Sequence, residues 1–245
     1  MEYVILAAGQ GSRFVKEGET APKPMVDFLG RPMIGRLISV LGQCGASRIH
    51  IVTNPAMESL NSYLAACAES DSRINFRTIV SDNSFYSLQQ ACAEVSGRFV
   101  AMTVDAIFPT DEFREYVRRV EEMPSRTVLM GLTRFVDDES PLYARLNGAE
   151  DEVTDYRYGG EPFPGKPIVS AGLYGLTPDT LPYACEERYP ESLSDFQRIL
   201  AVSPRYKVVP FEFSKAFDVD CGHDRVEAEK FLTEVNGEHP LTPAI

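Results

Sequence analysis

Three stretches of this 245-residue sequence combine residue types that handle phosphate and metal. The first is Leu6-Ala-Ala8-Gly9-Gln-Gly11-Ser12-Arg13-Phe14, followed ten residues after the arginine by Lys23-Pro24-Met25. A strand ending in a glycine-rich turn lets backbone N–H groups approach a triphosphate with no side chain in the way. Arg13 adds a fork of donors for phosphate oxygens, and Lys23 adds a compact second positive charge. The second stretch, Phe99-Val-Ala-Met-Thr-Val-Asp105, ends a buried strand on a carboxylate. That suits a hard cation such as Mg²⁺, which takes a few carboxylates plus phosphates and waters. The third, Phe217-Asp218-Val219-Asp220-Cys-Gly222-His223-Asp224, leads into the last helix. Asp218 or Asp224 there reads as a helix cap, and His223 as a surface or capping residue.

One apparent phosphate loop is set aside. Gly160-Glu-Pro-Phe-Pro-Gly165-Lys166-Pro167 nearly spells a Walker A motif. Pro162 and Pro164 remove N–H groups that would cradle phosphate, and Pro167 stands where Ser or Thr is required.

These residues need a scaffold, and the apolar patterning supplies one. Residues 3–8, 48–53, 74–80 and 99–104 read as strands, alternating with helices near 32–42, 56–68, 85–95 and 111–123. Phe113, Tyr116, Val117 and Val120 share the inward face of the last of these helices. Such alternation predicts an α/β fold, with a Rossmann-like, mainly parallel sheet flanked by helices. Ligands bind such sheets beyond the carboxyl ends of the strands, which directs attention to Gly9, Thr53, Ser81 and Asp105. After about residue 126 the segments 126–135, 142–146, 153–158, 168–176 and 206–213 read as strands linked by Pro/Gly-rich loops. They are expected to form an antiparallel extension, with helices near 192–201 and 225–235. The expectation is a single domain, 1–245. Residues 1–125 form its nucleotide-binding half and 126–236 its acceptor-binding half, with 237–245 as a loose tail.

Composition narrows the partners. The chain carries 24 Lys+Arg against 36 Asp+Glu, a formal charge of −12, so no nucleic acid is expected to bind. All of the excess lies late: residues 1–104 hold nine acidic and nine basic side chains, whereas 105–164 hold 14 and 7 and 165–245 hold 13 and 8. No apolar run approaches a membrane span, and the start lacks the marks of a signal peptide. Five scattered cysteines with no CxxC pair point to reduced thiols. The expected location is cytoplasmic, with no membrane partner, and a homo-oligomer is left open.

The Leu6–Phe14 and Pro22–Met25 segments resemble the signature of the nucleotidyltransferase superfamily, which includes sugar-1-phosphate nucleotidyltransferases and related cytidylyltransferases. The family pattern runs Leu-Ala-Gly-Gly-x-Gly-x-Arg and then Pro-Lys-Pro-Met, with Ala8 here in place of one glycine. The resemblance implies a glycosyltransferase-A-like fold. It implies transfer of NMP from an NTP to a phosphorylated small molecule, with release of pyrophosphate and Mg²⁺ as cofactor. By this comparison Arg13 and Lys23 are catalytic, and Leu6, Ala8, Gly9, Gly11, Ser12 and Ser87 bind the nucleotide. Asp105 and Asp220 hold the metal, and Ser170 and Gly172 contact the acceptor. Asn83…Ser87-Leu88 looks most like choline-phosphate cytidylyltransferases. Ser170 replaces the family's asparagine, and the Glu-Lys-Pro element that holds sugar phosphates is missing. The acceptor is therefore left open between a sugar 1-phosphate and a phosphocholine-like molecule. For the latter, Tyr143, Tyr156, Tyr158, Phe163 and Tyr174 could supply aromatic faces. Two other readings stand beside this one: a glycosyltransferase of the same fold using Asp218-Val-Asp220, and a nucleotide-sensing subunit without chemistry.

Overall fold

The computed structural model describes residues 1–9, 14, 18, 21–81, 83–137 and 140–239. The strands in chain order are β1 (Glu2–Leu6), a hairpin of β2 (Asp27–Phe28) and β3 (Arg31–Pro32), β4 (Arg48–Thr53), β5 (Ile74–Thr78), β6 (Phe99–Thr103) and β7 (Ala106–Ile107). The later half adds β8 (Thr127–Thr133), β9 (Leu142–Leu146), β10 (Val153–Tyr158), β11 (Val169–Leu176), β12 (Lys207–Phe213) and β13 (Phe217–Asp218).

Tyr3, Val4 and Ile5 of β1 are wholly buried, as a strand covered on both faces must be. β1 lies parallel between β4 and β6, with Leu6 opposite both Val52 and Thr103. β5 extends this run beyond β4, again in parallel. The carboxyl ends of β1, β4, β5 and β6 therefore share one edge of the sheet. β11 runs antiparallel to β6 and to β8, and the β9–β10 hairpin joins the start of β11 through Val169 and Tyr143. Within this later part β8 and β12 pair in parallel, so the antiparallel character resides in β11 and in the hairpin.

The two faces carry separate cores. Helices Met33–Gln43, Glu58–Ser70 and Thr110–Glu122 cover one, and Phe113, Tyr116, Val117 and Val120 all point into it. Helices Ser84–Ala91, Thr180–Glu187 and Leu193–Ala201 cover the other. The helix Thr180–Glu187 was not foreseen, because it is short and carries Pro182 in its first turn. Gly160–Pro167 forms a loop, as its prolines required.

The last helix, Gly222–Asn236, ends at Gly237 in the left-handed conformation (φ 64°). The expectation of a loose tail over 237–245 does not hold at Glu238; residues 240–245 lie outside the described residues. Glu238 accepts from Arg36 Nε at 2.9 Å and Arg36 Nη2 at 2.8 Å, and from Arg31 at 3.2 Å. Arg36 is only 2% exposed. Burial opposes the charge of Glu238, but its bonds to Arg36 and Asn236 and the nearby Arg31 overcome this. They hold its carboxyl below the ordinary value of 4.5. Its stabilisation is therefore present in full above that value and is lost as pH falls through the lowered folded value. Glu238→Gln is expected to cost about 3 kcal/mol at pH 7, by stranding a buried guanidinium. Urea unfolding at pH 7 and again at pH 3 checks this, since the gap from wild type should shrink in acid.

Candidate active site

The carboxyl edge of the parallel strands opens into a cleft of about 490 Å³. Leu6, Ala8 and Gly9 line it from the end of β1, and Thr103, Val104 and Asp105 from the end of β6. Ser81, Asn83, Ser84 and Ser87 line it from the start of a helix, joined by Lys23, Leu193 and Asp220.

Lys23 sits in a short 3-10 turn, Lys23–Met25, framed by Pro22 and Pro24 and closed by a Met25 N–H bond to the Pro22 carbonyl at 2.7 Å. The prolines limit the backbone freedom of this turn. Its ammonium donates to Asp105 Oδ2 and, at 2.5 Å, to Asp220 Oδ1. The Lys23 side chain is 9% exposed. Burial opposes its charge, yet the two carboxylates outweigh burial and hold its pKa above the ordinary lysine value.

Asp105 and Asp220 stand 115 positions apart in the chain, and the two-residue strands β7 and β13 bring them together. Asp218 pairs with Ala106, and the Val219 N–H donates to the Asp105 carbonyl at 3.3 Å. Asp224 then fixes the backbone, accepting from the N–H groups of Asp220 at 2.8 Å and Cys221 at 3.0 Å. The capping role expected for Asp224 is thus also a positioning role for Asp220. His223 is exposed, as expected.

Asp105 Oδ1 is buried and has no hydrogen-bond partner among the described residues. An orphaned carboxylate oxygen beside a second carboxylate fits a hard cation, which accepts as few as one or two protein carboxylates. Among the described residues no cluster of three or more His, Cys, Asp or Glu side chains could hold a metal. A cation here would therefore complete its shell from substrate phosphates and water.

The remaining sequence candidates distribute unevenly. Gly11, Ser12 and Arg13 lie outside the described residues. Asn83 caps its helix by accepting from the Tyr86 N–H at 2.7 Å, and Ser87 donates to Ser81 Oγ at 3.0 Å. Thr53 does not reach the cleft; it is wholly buried and donates to Asn61. Ser170 and Gly172 are not among the cleft-lining residues. Ser170 donates to the buried Gln197 at 3.0 Å. Gly172 has φ 67°, and a Cβ there would lie 3.0 Å from Thr103 Oγ1. Gly172→Ala is therefore expected to cost about 1–2 kcal/mol from the left-handed backbone alone, read as a lowered midpoint in urea.

The expected aromatic cluster does not form one surface. Tyr156 and Tyr174 are buried, whereas Tyr158 is exposed. The Phe163 ring is already occupied by the guanidiniums of Arg145 and Arg157, 4.3 and 4.4 Å from its centroid. The residues missed from sequence are Thr103, Val104, Ser84 and Leu193. Thr103 and Val104 could have been found from their place at a strand end. Leu193 carried no such signal; it lines the cleft at the start of a distant helix, where its N–H donates to Ser84 Oγ at 2.9 Å.

A family model described as the MobA-like NTP transferase domain matches residues 3–145. The bifunctional protein GlmU of Rhodospirillum rubrum is 44% identical over 62 residues, 25% of this chain and 13% of that protein. The bifunctional protein GlmU of Rhizorhabdus wittichii is 26% identical over 165 residues, 63% of this chain and 34% of that protein. The matched segments thus span about a third or less of these relatives. Among solved structures, the inositol-1-phosphate CTP transferase from T. maritima superposes with a TM-score of 0.76 over 98% of each chain. At 17% identity that likeness concerns the fold alone. Among the described residues no helix is long and apolar enough to cross a membrane.

Proposed function

The chain belongs to the family of MobA-like NTP transferase domains, and on that premise we propose that it transfers NMP from an NTP to a phosphorylated small molecule. An oxygen of the acceptor phosphate attacks the α-phosphorus; the new P–O bond forms as the bond to the β-phosphate bridging oxygen breaks, and pyrophosphate leaves. A phosphate monoester is already largely dianionic at pH 7, its second pKa being about 6, so no general base is required. Catalysis then consists of positioning and charge neutralisation.

The observation that carries this reading is the Lys23 ammonium held between Asp105 and Asp220, in the cleft that Gly9 also lines. Gly9 leaves its backbone free to approach phosphate. Lys23 supplies positive charge beside the reacting oxygens, and Arg13 steadies the departing pyrophosphate. Asp105 and Asp220 would hold Mg²⁺, which supplies charge neutralisation on the nucleotide phosphates when bound. Ser87 and its hydroxyl neighbours face the nucleoside.

The test is a pyrophosphate-release screen of the purified chain, crossing four NTPs with sugar phosphates and phosphocholine in Mg²⁺. Turnover with one pair supports the proposal. Hydrolysis of a sugar nucleotide with no pyrophosphate formed from any pair would replace it with the glycosyltransferase reading.

A further inference from the structure

Ser170 stands where the resemblance read from sequence puts an acceptor contact, yet its side chain is engaged elsewhere. Along β11, Ala171 and Leu173 belong to the core on one face of the sheet and Tyr174 to the core on the other. Ser170 falls on the Tyr174 side, which the helix Leu193–Ala201 covers. Its hydroxyl donates there to Gln197 Oε1 at 3.0 Å and also bonds the Tyr174 hydroxyl. Gln197 is 1% exposed, so its side-chain amide has no water to turn to if that bond is lost. Gln197 Nε2 donates in turn to the Leu193 carbonyl at 3.4 Å.

Leu193 is where this helix meets the cleft. It lines the cleft, and its N–H donates to Ser84 Oγ at 2.9 Å. Ser84 lines the cleft as well, beside Ser87, whose hydroxyl donates to Ser81 Oγ at 3.0 Å. Hydrogen bonds therefore lead from β11 through Gln197 and Leu193 to the hydroxyl-lined wall of the cleft. The same two helices also touch through Phe85 and Phe196, with ring centroids 5.2 Å apart. Apolar contact of that kind is non-directional, whereas a buried hydrogen bond fixes position because an unpaired partner is costly. The Arg198–Asp155 ion pair also joins this helix to the sheet, but it spans 3.8 Å and Arg198 is 64% exposed, so it holds position weakly.

Resting on the transfer reading above, in which the hydroxyl-lined wall faces the nucleoside, we infer that Ser170 and Gln197 are positioning residues for the NTP. Their bond seats the start of the helix Leu193–Ala201 and so sets how Leu193 and Ser84 meet at the nucleoside wall; Ser170 does not touch the acceptor. Without the bond that wall loosens, while Lys23, Asp105 and Asp220 keep their arrangement. NTP affinity falls and the chemical step does not.

The test compares the full chain with its Ser170→Ala, Ser170→Thr, Gln197→Met and Ser170→Ala/Gln197→Met variants. Calorimetry with Mg²⁺ measures binding of whichever of the four NTPs wild type binds best, and pyrophosphate release and urea unfolding are followed alongside. Ser170→Ala and Gln197→Met are each expected to weaken NTP binding about fivefold, the worth of one hydrogen bond. KM for the NTP should rise in step, with kcat and the acceptor KM moved less than about twofold. The double variant should bind no more weakly than either single one, because the same bond is lost in all three. Ser170→Thr keeps the hydroxyl and should bind within about twofold of wild type. A rise in the acceptor KM, alone or equal to that for the NTP, would overturn the inference and return Ser170 to the acceptor. Lowered urea midpoints with unmoved NTP binding would overturn it too, as the mark of a purely structural pair. So would a Ser170→Thr variant as weak as Ser170→Ala. Should Gln197→Met fail to fold, the two Ser170 variants decide the matter by themselves. If NTP binds but no acceptor yields pyrophosphate, it is the transfer reading that fails, and calorimetry still decides the role of the pair. If wild type binds no NTP, both fall.

Discussion

Replacement of Asp105 by asparagine is expected to lower pyrophosphate release about 1,000-fold while the protein stays folded. Asp105 occupies a narrow position, since one of its oxygens holds Lys23 and the other is buried without a partner among the described residues. Asparagine preserves volume and shape but removes the negative charge that keeps the lysine in place and that would hold a cation. Losing one preorganised electrostatic group in a partly enclosed site costs about 2.7–4 kcal/mol in the transition state, a factor of 100 to 1,000. Because the side chain also sits between protein and substrate, the upper end of that range applies. The folded state should lose far less, because Lys23 retains its bond to Asp220. Turnover by pyrophosphate release and integrity by far-UV circular dichroism check the two halves of the claim. A variant that keeps more than a tenth of wild-type turnover would remove Asp105 from the machinery.

Lys23→Met is expected to damage both turnover and stability, and to separate the two by their response to Mg²⁺. Methionine keeps most of the apolar stem while deleting the ammonium. Asp105 and Asp220 are then left facing each other across the space the ammonium held, at 15% and 33% side-chain exposure. Removing one partner of a buried charge arrangement costs about 3–5 kcal/mol; the partial exposure of Asp220 places this case at or below the lower figure. A divalent cation that binds only the folded state returns about 2.7 kcal/mol at a concentration 100-fold above its Kd. Addition of Mg²⁺ should therefore raise the variant's melting temperature more than that of wild type, where the lysine already neutralises the pair. Turnover should stay at least 100-fold down even in saturating Mg²⁺, because the charge lost is the one that faces the reacting phosphates. An identical Mg²⁺ response in the two proteins would contradict this account.

What could be read from the sequence was whatever depended on short spacing. The strand of residues 3–8, the glycine turn after it, the Lys-Pro-Met element and the aspartate after residues 99–104 each announce themselves within a few residues of chain. Parallel pairing at the centre of the sheet then follows from the alternation of strands and helices, and it brings Leu6 and Thr103 level. Other features were hidden because they are made by distant parts of the chain. Nothing local in Ala106–Ile107 or Phe217–Asp218 announces a strand of two residues, yet their pairing sets Asp220 beside Asp105. Leu193 lines the cleft beside a serine 109 positions earlier, to which its N–H donates. The aromatic residues after position 140 were close in sequence, but strand alternation and the two arginines on Phe163 disperse them. Glu238 reads from sequence as part of a tail, because no local pattern reveals that a buried arginine awaits it.

That final helix has a consequence for the order in which a working protein comes into being. Asp220 enters the cleft from the segment just before its start, and Glu238, just past its end, clamps Arg36 on the helix that follows the Lys-Pro-Met element. A ribosome emits the glycine turn, Lys23 and Asp105 long before either partner exists. Until residues 220–238 have emerged, Lys23 lacks one of its two carboxylates and Arg36 lacks its only acidic partner among the described residues. Domains generally begin to fold from the amino terminus during synthesis, but here the amino-terminal half cannot reach its finished arrangement by itself. Nascent chains ending near residue 200 should hold the sheet only as far as β11, without β12 and without a competent cleft. The two regions read from the sequence thus depend on each other through Asp220 and Glu238, and the cleft is completed only once both have emerged.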